Sequence, residues 1–474
     1  MKTRIYLLLI VFVVLEFSIS LSWCEDARPR HAPNTLPDVE PEMLTPEYWI
    51  ALQDDADRVI MTSQEIEQFN EKVRTKKVTF RDRFGKPDPM LNNFNLKKSF
   101  GLLMNPLLPL NLSDTVHGDS LRVWIKANIE WLYSRDFYDG RNAIYSENMK
   151  QELVDTIKRE EIPAVITRRF GIIVHRADVR LYPTSTPGYS ETKWEMDYFQ
   201  TTGIYSGTPV AILYQSVDCD YLYVESPIAR GWIATEDIAI AGREEIRSLT
   251  EDNDFIMATG DKIPVYGDPS FTNFSVYLYF SSKMSLIKSD RSGYIVKMAY
   301  RKPDGSLGVA NGYIKPNADI HRGYLPYTKR NMLTQMFKLL NQPYGWADQF
   351  KKRDCSGTQR VLLKCFGIVT GRWPNFILLA PDHRVYIDPA LTTEEKMRVV
   401  SEIEPVITFA GTGGHIVLYL GRAHNGKLYF FQQAGWGYKD ENGENLIVNR
   451  TTVNSADHSW YNINGPRVFS TFRK

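Results

Sequence analysis

The stretch Asp354-Cys355-Ser356-Gly357 stands at the first turn of a predicted helix that runs from Ser356 to Phe366 and stops at Gly367. The free backbone N–H groups and the positive end of a helix dipole favour a thiolate over a thiol. We therefore expect the pKa of Cys355 to be lowered. A thiol at this position is a candidate nucleophile, and it needs a base and a group that orients the base.

A histidine opens a predicted strand further along the chain. His415 begins the apolar run of residues 415–420 after a glycine-rich loop at 411–414, and a second predicted strand covers residues 427–433. A cysteine at a helix start followed by a histidine at a strand start is the chain order that this thiol chemistry uses. We expect His415 to accept the proton of Cys355.

The register of the two strands decides which polar residue orients the imidazole. If Leu420 pairs with Leu428 in an antiparallel hairpin, His415 falls opposite Gln433 and their side chains share one face. A register that differs by one residue would present Gln432 instead. The sequence Gln433-Ala434-Gly435-Trp436-Gly437 favours Gln433.

These residues form one chemical hypothesis. Cys355 attacks a carbonyl, His415 carries the proton, and Gln433 orients the imidazole through its side-chain oxygen. The backbone N–H of Cys355 is the natural donor to the oxyanion. Each residue also has an ordinary structural interpretation: a buried small hydrophobe, a structural hydrogen-bond donor and a solvated strand position.

Composition excludes some classes of function. The 474 residues include 57 Lys and Arg against 56 Asp and Glu, a net charge of +1, which gives no electrostatic case for a nucleic-acid partner. The length exceeds what one hydrophobic core usually supports and indicates two to four domains. We therefore look for a substrate site.

The N-terminus has the pattern of a signal peptide. Lys2 and Arg4 precede an apolar run from Tyr6 to Leu15, and small and polar residues follow. The run is too short for a comfortable membrane span. We predict a signal peptide over residues 1–24 and export to the periplasm or cell envelope.

The cysteines allow two interpretations of the N-terminus. Leu21-Ser22-Trp23-Cys24 resembles a bacterial lipoprotein box except at Trp23, so lipidation of Cys24 with a membrane tether is an alternative to ordinary cleavage nearby. Cys219, Cys355 and Cys365 then remain, an odd number that leaves at least one thiol free. We expect Cys365 to be a core residue, too far along the helix to bridge to Cys355.

The chain divides by its patterns into an α+β multidomain protein. A proline-rich linker covers residues 25–47, and a mainly helical domain covers 48–162, with a helix that Ser63 can cap and a second helix from Ser146 to Arg159. Short strands predict one small β-barrel at 163–243 and a more divergent copy at 244–322. A single larger β domain is the alternative. Helices followed by strands occupy 323–474.

These motifs resemble those of a known family. Asp354-Cys355-Ser356-Gly357, the strand Gly414-His415-Ile416-Val417-Leu418-Tyr419-Leu420-Gly421 and the loop Pro343-Tyr344-Gly345-Trp346 are similar to the nucleophile motif, histidine strand and preceding loop of NlpC/P60 cysteine peptidases. The strands around a hairpin at Ser216 to Asp220 resemble a bacterial SH3 domain. The resemblance implies a papain-like C-terminal domain behind two SH3-like β-barrels and a helical domain, as in γ-D-glutamyl-L-diamino acid endopeptidases.

The resemblance also implies a substrate. Such enzymes cut peptidoglycan stem peptides between D-glutamate and meso-diaminopimelate or lysine, with a free N-terminal L-alanine preferred. Its ammonium would be bound by the residues on either side of the nucleophile, here Asp354 and Ser356. The first SH3-like domain would close that end of the groove. Tyr344 either lines the groove or packs as a loop aromatic.

Two departures from the family pattern concern the site. The third polar residue is commonly His in the family, whereas this chain has Gln433. The stretch Arg372-Trp373-Pro374-Asn375-Phe376 lacks the serine with which relatives contact substrate. Substrate preference could therefore differ.

No cofactor or metal is expected, because the chemistry needs none and the other histidines show no ligand spacing, among them His117, His175, His321 and His383. Two other classes of function stay open. One is a non-catalytic peptidoglycan-binding protein, and the other is a thiol amidase or acyltransferase that acts on another substrate.

Overall fold

The computed structural model describes residues 32–76, 103, 105–190, 196–412, 414–435, 438–439, 445–457 and 468–474. The predicted signal peptide and Cys24 lie outside these residues. Across the described part of the chain, no helix is long and apolar enough to cross a membrane.

The N-terminal module is mainly helical. Its helices are α1 (Pro46–Ala51), α2 (Ser63–Thr75), α3 (Gly118–Tyr133) and α4 (Glu147–Ile157). The N-cap of α2 is Thr62 and not Ser63 as expected, because Thr62 forms a capping box with Glu65. The Thr62 backbone N donates to Glu65 Oε2 at 2.9 Å, and the Glu65 backbone N donates to Thr62 Oγ1 at 3.3 Å. Ser146 caps α4 as expected.

Helices α3 and α4 pack on the first β domain. Trp131 and Leu132 of α3 share a core cluster with Tyr182, Phe199 and Trp232 of that domain. A short ribbon of β1 (Thr115–His117) and β2 (Val165–Thr167) joins the two ends of the module. Helix α3 lies within the predicted helical domain, although no individual helix was expected there, and its apolar residues pack both on that domain and on the first β domain.

The first β domain is one antiparallel sheet in the order β5-β4-β8-β7-β6-β3-β9. Its strands are β3 (Arg169–Ile173), β4 (Ala177–Arg180), β5 (Gln200–Ile204), β6 (Pro209–Gln215), β7 (Tyr221–Glu225), β8 (Arg230–Ala234) and β9 (Ile238–Ile240). The turn between β6 and β7 lies at residues 216–220, where the distal hairpin was expected. The sheet curls around its own apolar cluster.

The second β domain repeats this order of strands. The sheet runs β12-β11-β15-β14-β13-β10-β16, so strands at corresponding places in the two domains have corresponding neighbours. Its strands are β10 (Phe255–Ala258), β11 (Ile263–Tyr266), β12 (Phe274–Leu278), β13 (Lys283–Asp290), β14 (Gly293–Arg301), β15 (Leu307–Ile314) and β16 (Ile320–Arg322). Helix α5 (Arg243–Thr250) joins the domains. Two separate sheets with separate clusters favour two domains over one irregular domain.

The C-terminal domain places helices against an antiparallel sheet of the order β17-β24-β18-β19-β20-β23. The helices are α6 (Lys329–Phe337), α7 (Cys355–Lys364), α8 (Pro374–Leu379) and α9 (Thr393–Ser401). The strands are β17 (Arg384–Tyr386), β18 (Thr408–Thr412), β19 (His415–Arg422), β20 (Leu428–Ala434), β23 (Arg450–Ser455) and β24 (Val468–Thr471), with a small ribbon of β21 (Tyr438–Lys439) and β22 (Asn445–Leu446). Helix α7 packs on β19 and β20. The mixture of helices and antiparallel sheets agrees with the expected class.

Short 3-10 turns cover Pro41–Leu44, Pro109–Asn111, Arg159–Glu161, Thr235–Asp237 and Trp346–Lys351. Cys365 lies in the core, as expected, with its Sγ 3.5 Å from the Val361 carbonyl. The three cysteines of the described residues are free.

The predicted linker is wrong for residues 32–46, which pack on the C-terminal domain. Leu36, Val39 and Met43 are buried in that domain's main core cluster. The Ala32 backbone N donates to the Ile447 carbonyl at 2.9 Å. Proline and acidic residues suggested an extended, solvated chain, but the apolar residues between them outweigh that composition because each contributes about 1.5–3 kcal/mol on burial.

We predict that Met43→Ala destabilises the protein by about 2–5 kcal/mol, because Met43 is 1% exposed within the core of the C-terminal domain. Glu42→Ala is the matched control and should change the free energy of unfolding little, since Glu42 is exposed. Urea unfolding of the two variants measures this difference. Equal stability of both variants would show that the segment is a loose linker.

Candidate active site

The nucleophile motif is held at the start of α7 by its first residue. Asp354 is the N-cap, and its Oδ1 accepts a hydrogen bond from the Gly357 backbone N at 2.7 Å. Cys355 is the first helical residue, a position where the backbone N–H has no acceptor within the helix. Cys355 therefore lies at the start of a helix, as predicted, and this helix begins one residue earlier than the predicted start at Ser356.

The thiol of Cys355 has a raised pKa, which corrects the expectation of a lowered one. Burial raises the pKa of Cys355 to about 12, and the Asp354 carboxylate adds to this effect. Hydrogen bonds from the backbone N–H groups of Ile416 and Ser356, together with Arg372, oppose it. Cys355 is 6% exposed, so loss of water outweighs the helix dipole, which is worth about 0.3–1 kcal/mol at exposed sites.

His415 lies at the start of β19, beside the residue whose backbone meets the thiol. Its Nε2 is 2.9 Å from Gln432 Oε1, and Gln432 Nε2 donates to Asn454 Oδ1 at 2.6 Å. Asn454 Nδ2 in turn donates to the Ser455 carbonyl at 2.9 Å. This series of hydrogen bonds ends at the Ser455 carbonyl, which can only accept. Each amide must therefore donate through its nitrogen and accept through its oxygen, so the Nε2 of His415 carries the hydrogen. Nδ1 is then the basic atom.

Gln432 and not Gln433 is therefore the partner of His415. Arg422 pairs with Leu428 and Gly421 with Tyr429, but a bulge shifts the register so that Tyr419 pairs with Phe430. The expected pairing of Leu420 with Leu428 is absent, and every residue beyond the bulge faces the side opposite to the one expected.

Gln433 has a different set of contacts. Its Nε2 donates to the Gln342 carbonyl at 3.0 Å, and its Oε1 accepts from the Thr451 hydroxyl. Thr358 Oγ1 on α7 is 3.5 Å from the same oxygen. Gln433 thus ties β20 to β23, to the loop before the nucleophile and to α7. The signal that could have found the shift is Gly421, since glycine inside a strand often marks a bulge.

The imidazole of His415 is neutral at ordinary pH. Burial lowers the pKa of His415 to about 4, while the hydrogen bond to Gln432 and the charge of Asp354 oppose this shift. A group whose folded-state pKa lies below its unfolded value costs stability as pH falls from the unfolded value toward the folded one. In the free protein both members of the pair are therefore uncharged, the thiol protonated and the imidazole a free base.

Asp354 is already paired, which corrects its predicted role as an ammonium site. Arg372 Nη1 lies 3.0 Å from Asp354 Oδ1, and Nη2 lies 2.8 Å from Oδ2, a bidentate ion pair with both side chains largely buried. The Ser356 hydroxyl accepts from Arg372 Nη1 at 2.7 Å. Both residues that were expected to receive a substrate ammonium are occupied by a guanidinium of this chain.

Arg372 makes four hydrogen bonds and one further ion pair. Besides Asp354 and Ser356, its Nε donates to Thr202 Oγ1 at 2.6 Å and its Nη2 lies 3.1 Å from Asp348 Oδ2. Thr202 belongs to β5 of the first β domain, so the cluster joins that domain to the nucleophile helix. The sequence singled out the stretch of Arg372 for its missing serine but did not show that arginine would replace it.

Asp348 stands on a strained turn. Ala347, Asp348, Phe350 and Lys351 all have positive φ values, from 49° to 64°. Such residues cost about 1–3 kcal/mol each and persist only where surrounding contacts fix them. Here the Asp348 carbonyl accepts from Arg176, and Gln349 Oε1 accepts from the Asp197 backbone N at 2.9 Å. Both partners belong to the first β domain.

Tyr344 lies beside the thiol and packs on the end of β20. A Cβ at Gly435 would come within 3.0 Å of the Tyr344 ring, and the pKa of Tyr344 is raised by burial and then by Cys355 and Asp354. The packed-aromatic interpretation describes this contact. A role in lining the groove remains a prediction.

Comparison with known proteins agrees with this architecture. Residues 185–234 match the family model of an SH3 domain (SH3b1 type). The structure resembles that of an NlpC/P60 endopeptidase from Photobacterium damselae subsp. piscicida with a TM-score of 0.70 and 18% identity, over 94% of this chain and 99% of that one. The chain has the fold of an NlpC/P60 endopeptidase.

An NlpC/P60 family protein from Bacillus cereus is 15% identical and matches over 64% of this chain and 100% of that one, with a TM-score of 0.46. No curated protein sequence matches the chain. The SH3-like interpretation of the first β domain is thus confirmed by its family model, and the expected fold by the endopeptidase structure.

We predict that Cys355 of the free protein reacts slowly with iodoacetamide near neutral pH, because a thiol with a pKa of about 12 has about a thousandfold less thiolate than an ordinary thiol. The exposed Cys219 should be modified first. Peptide mass spectrometry over a pH series measures both rates, and Cys219→Ser is the control. A Cys355 rate that stops rising below pH 8 would contradict the raised pKa.

Proposed function

We propose that this protein is a cysteine peptidase that hydrolyses peptidoglycan stem peptides at the bond between γ-D-glutamate and the following diamino acid. The observation that carries the proposal is the hydrogen bond of 2.9 Å between His415 and Gln432, beside a cysteine at the start of α7. A structural cysteine and histidine need no such chain of oriented amides. The endopeptidase fold and the SH3b1-type domain support the choice of substrate.

The reaction follows from the two neutral groups. As the Cys355 Sγ attacks the γ-carbonyl carbon of D-glutamate, His415 Nδ1 takes the thiol proton, and the oxyanion faces the Cys355 backbone N–H. His415 then gives this proton to the leaving amine, and the C–N bond breaks to leave a thioester. Water, deprotonated by the same nitrogen, hydrolyses the thioester and restores the thiol. Gln432 keeps Nε2–H directed away from the reaction.

The Arg372 ion pair bears on the acyl side of the substrate. A free L-alanine ammonium would need an unpaired carboxylate, and Asp354 has none to offer because Arg372 neutralises it. We therefore infer that the enzyme accepts stem peptides whose L-alanine nitrogen is acylated, as it is where the peptide is attached to the glycan. The diamino acid can be diaminopimelate or lysine.

The test compares two synthetic substrates, L-Ala-γ-D-Glu-meso-diaminopimelate and its N-acetyl form. We expect release of diaminopimelate from both, with kcat/KM values within about tenfold of each other, whereas a dedicated ammonium site would reject the acetylated peptide by about 100-fold or more. Cys355→Ala is the control and should release none. If wild type releases none, or the variant as much as wild type, the peptidase assignment fails.

Burial of Cys355 favours a second candidate, a peptidoglycan-binding protein that has kept the fold without the activity. The thiol is 6% exposed, and no reaction occurs unless substrate reaches it. The cleavage test separates the two candidates, because a binding protein would sediment with peptidoglycan and release no amine from either peptide.

We predict that Gln432→Ala lowers kcat by about 100-fold, since a freely rotating imidazole loses most of a general-base contribution. Gln433→Ala is the matched neighbour. It should keep kcat within about threefold and instead lower stability by about 1–3 kcal/mol, because it removes two buried hydrogen bonds, to Gln342 and from Thr451. Steady-state kinetics and urea unfolding of both variants give the comparison. The opposite pattern would restore Gln433 as the orienting residue.

The pH profile supplies a readout that a merely structural role of Gln432 would not change. The base must be neutral, so activity is lost as pH falls through the pKa of His415, about 4. Gln432→Glu places a negative charge next to the Nε2–H of His415 and should raise the pKa of His415. Its acidic limb of kcat/KM is therefore expected at higher pH than that of wild type. An unchanged limb would mean that Gln432 does not act on the imidazole.

A further inference from the structure

A cavity of about 290 Å³ lies between the first β domain and the face of α7 that carries Arg360 and Lys364. The cavity is also lined by residues 106–111, by residues 203–205 at the end of β5 and by residues 368–370 after α7. Cys355 and His415 are not among the residues that line it. Its volume lies at the lower end of the range of small-molecule sites, about 300–1,000 Å³.

Three residues that line this cavity carry a buried polar atom without a hydrogen-bond partner among the described residues. Arg360 is 8% exposed, and its Nε has no hydrogen-bond partner among the described residues. The Nε of Arg74 and the Oγ1 of Thr370 are buried in the same condition. Buried polar groups in native proteins are almost always satisfied, so three such atoms on residues that line one cavity favour a polar ligand there.

The charge around the cavity is strongly positive. Arg74, Lys283, Arg360 and Lys364 line it against the single carboxylate of Glu251. Arg360 and Lys364 are four residues apart on α7, a spacing at which two like charges repel each other. Burial, and then Arg360, lowers the pKa of Lys364 to about 8. An anion between the two side chains would remove this repulsion.

Carboxylates near Arg360 do not neutralise the cavity. Asp348 attracts Arg360 through space without a hydrogen bond, and Asp348 is itself paired with Arg372 at 3.1 Å. Lys283 Nζ lies 3.1 Å from the Thr250 carbonyl and 4.0 Å from the centre of the Phe255 ring, neither of which carries a net charge. The cations at the cavity therefore keep a net excess over the carboxylates on its wall.

The rest of the wall is apolar. Leu107, Pro109, Ile204 and Ile368 present hydrocarbon to the cavity. A simple inorganic ion would leave this surface uncovered, whereas the apolar part of an organic anion would cover it and remove it from water.

We propose that this cavity binds a small organic phosphate, with the phosphate held between Arg360 and Lys364 and the apolar part of the ligand against the leucine- and proline-rich wall. A phosphate monoester carries close to two negative charges and accepts a bidentate guanidinium. It therefore matches two adjacent cations better than a carboxylate does. This site is separate from the catalytic pair, and its test does not depend on peptide cleavage.

The experiment is calorimetric titration of the full-length chain, at constant ionic strength, with phenyl phosphate, benzoate, phenyl glucoside and inorganic phosphate. Phenyl phosphate should bind in a saturable way and at least about tenfold more tightly than each of the other three. Arg360→Met and Lys364→Met should each weaken this binding by at least about tenfold. Lys288→Met, at an exposed lysine outside the cavity, should not.

Folding of the variants is followed by thermal melting without ligand. Arg360→Met should melt no lower than wild type, because it removes a buried charge whose Nε makes no hydrogen bond, and Lys364→Met carries the test if Arg360→Met does not fold. Absence of phenyl phosphate binding by wild type would overturn the proposal. So would equal binding by the cavity variants, or binding of benzoate or phenyl glucoside as tight as that of phenyl phosphate.

Discussion

The structure depends on the buried ion pair between Asp354 and Arg372. The Asp354 Oδ1 accepts two hydrogen bonds. One comes from the Gly357 backbone N and caps α7, and the other comes from Arg372. Loss of Arg372 would leave the Asp354 carboxylate uncompensated in a buried site, and removal of one partner of a buried ion pair typically costs about 3–5 kcal/mol. The ion pair thus fixes the position of Cys355, although neither Asp354 nor Arg372 takes part in the proposed reaction.

The same pair explains why the first β domain is required by the site. Arg372 also reaches Thr202 on β5, and the turn that carries Asp348 is held in positive φ by contacts from that domain. Without that domain, Arg372 would lose its bond to Thr202 and the strained turn would lose its bond from Arg176. The SH3-like domain therefore acts as a structural part of the active site, besides any contact that it makes with peptidoglycan.

Local patterns predicted the local parts of this site and missed those that depend on distant contacts. The start of α7 and of β19 follow from a capping aspartate, helical periodicity and a glycine-flanked apolar run, so Cys355 and His415 could be found by number. Gln432 could not, because one bulge near Gly421 reverses which face each residue takes. Arg372 and residues 32–46 were missed for a related reason. Their partners are remote in sequence, and composition carries no trace of them.

Removal from water determines the protonation states of Cys355 and His415 more than the charges around them do. Asp354 raises the pKa values of both Cys355 and His415, and Arg372 opposes it at the thiol. Burial is the largest influence on both pKa values, and it favours the uncharged form of each group. A thiolate kept ready in advance is therefore not how this arrangement would work. The thiol must lose its proton during attack, when the developing charge first meets the donors at the start of α7. That makes the orientation of His415, and so the register of β20, the feature on which catalysis would depend.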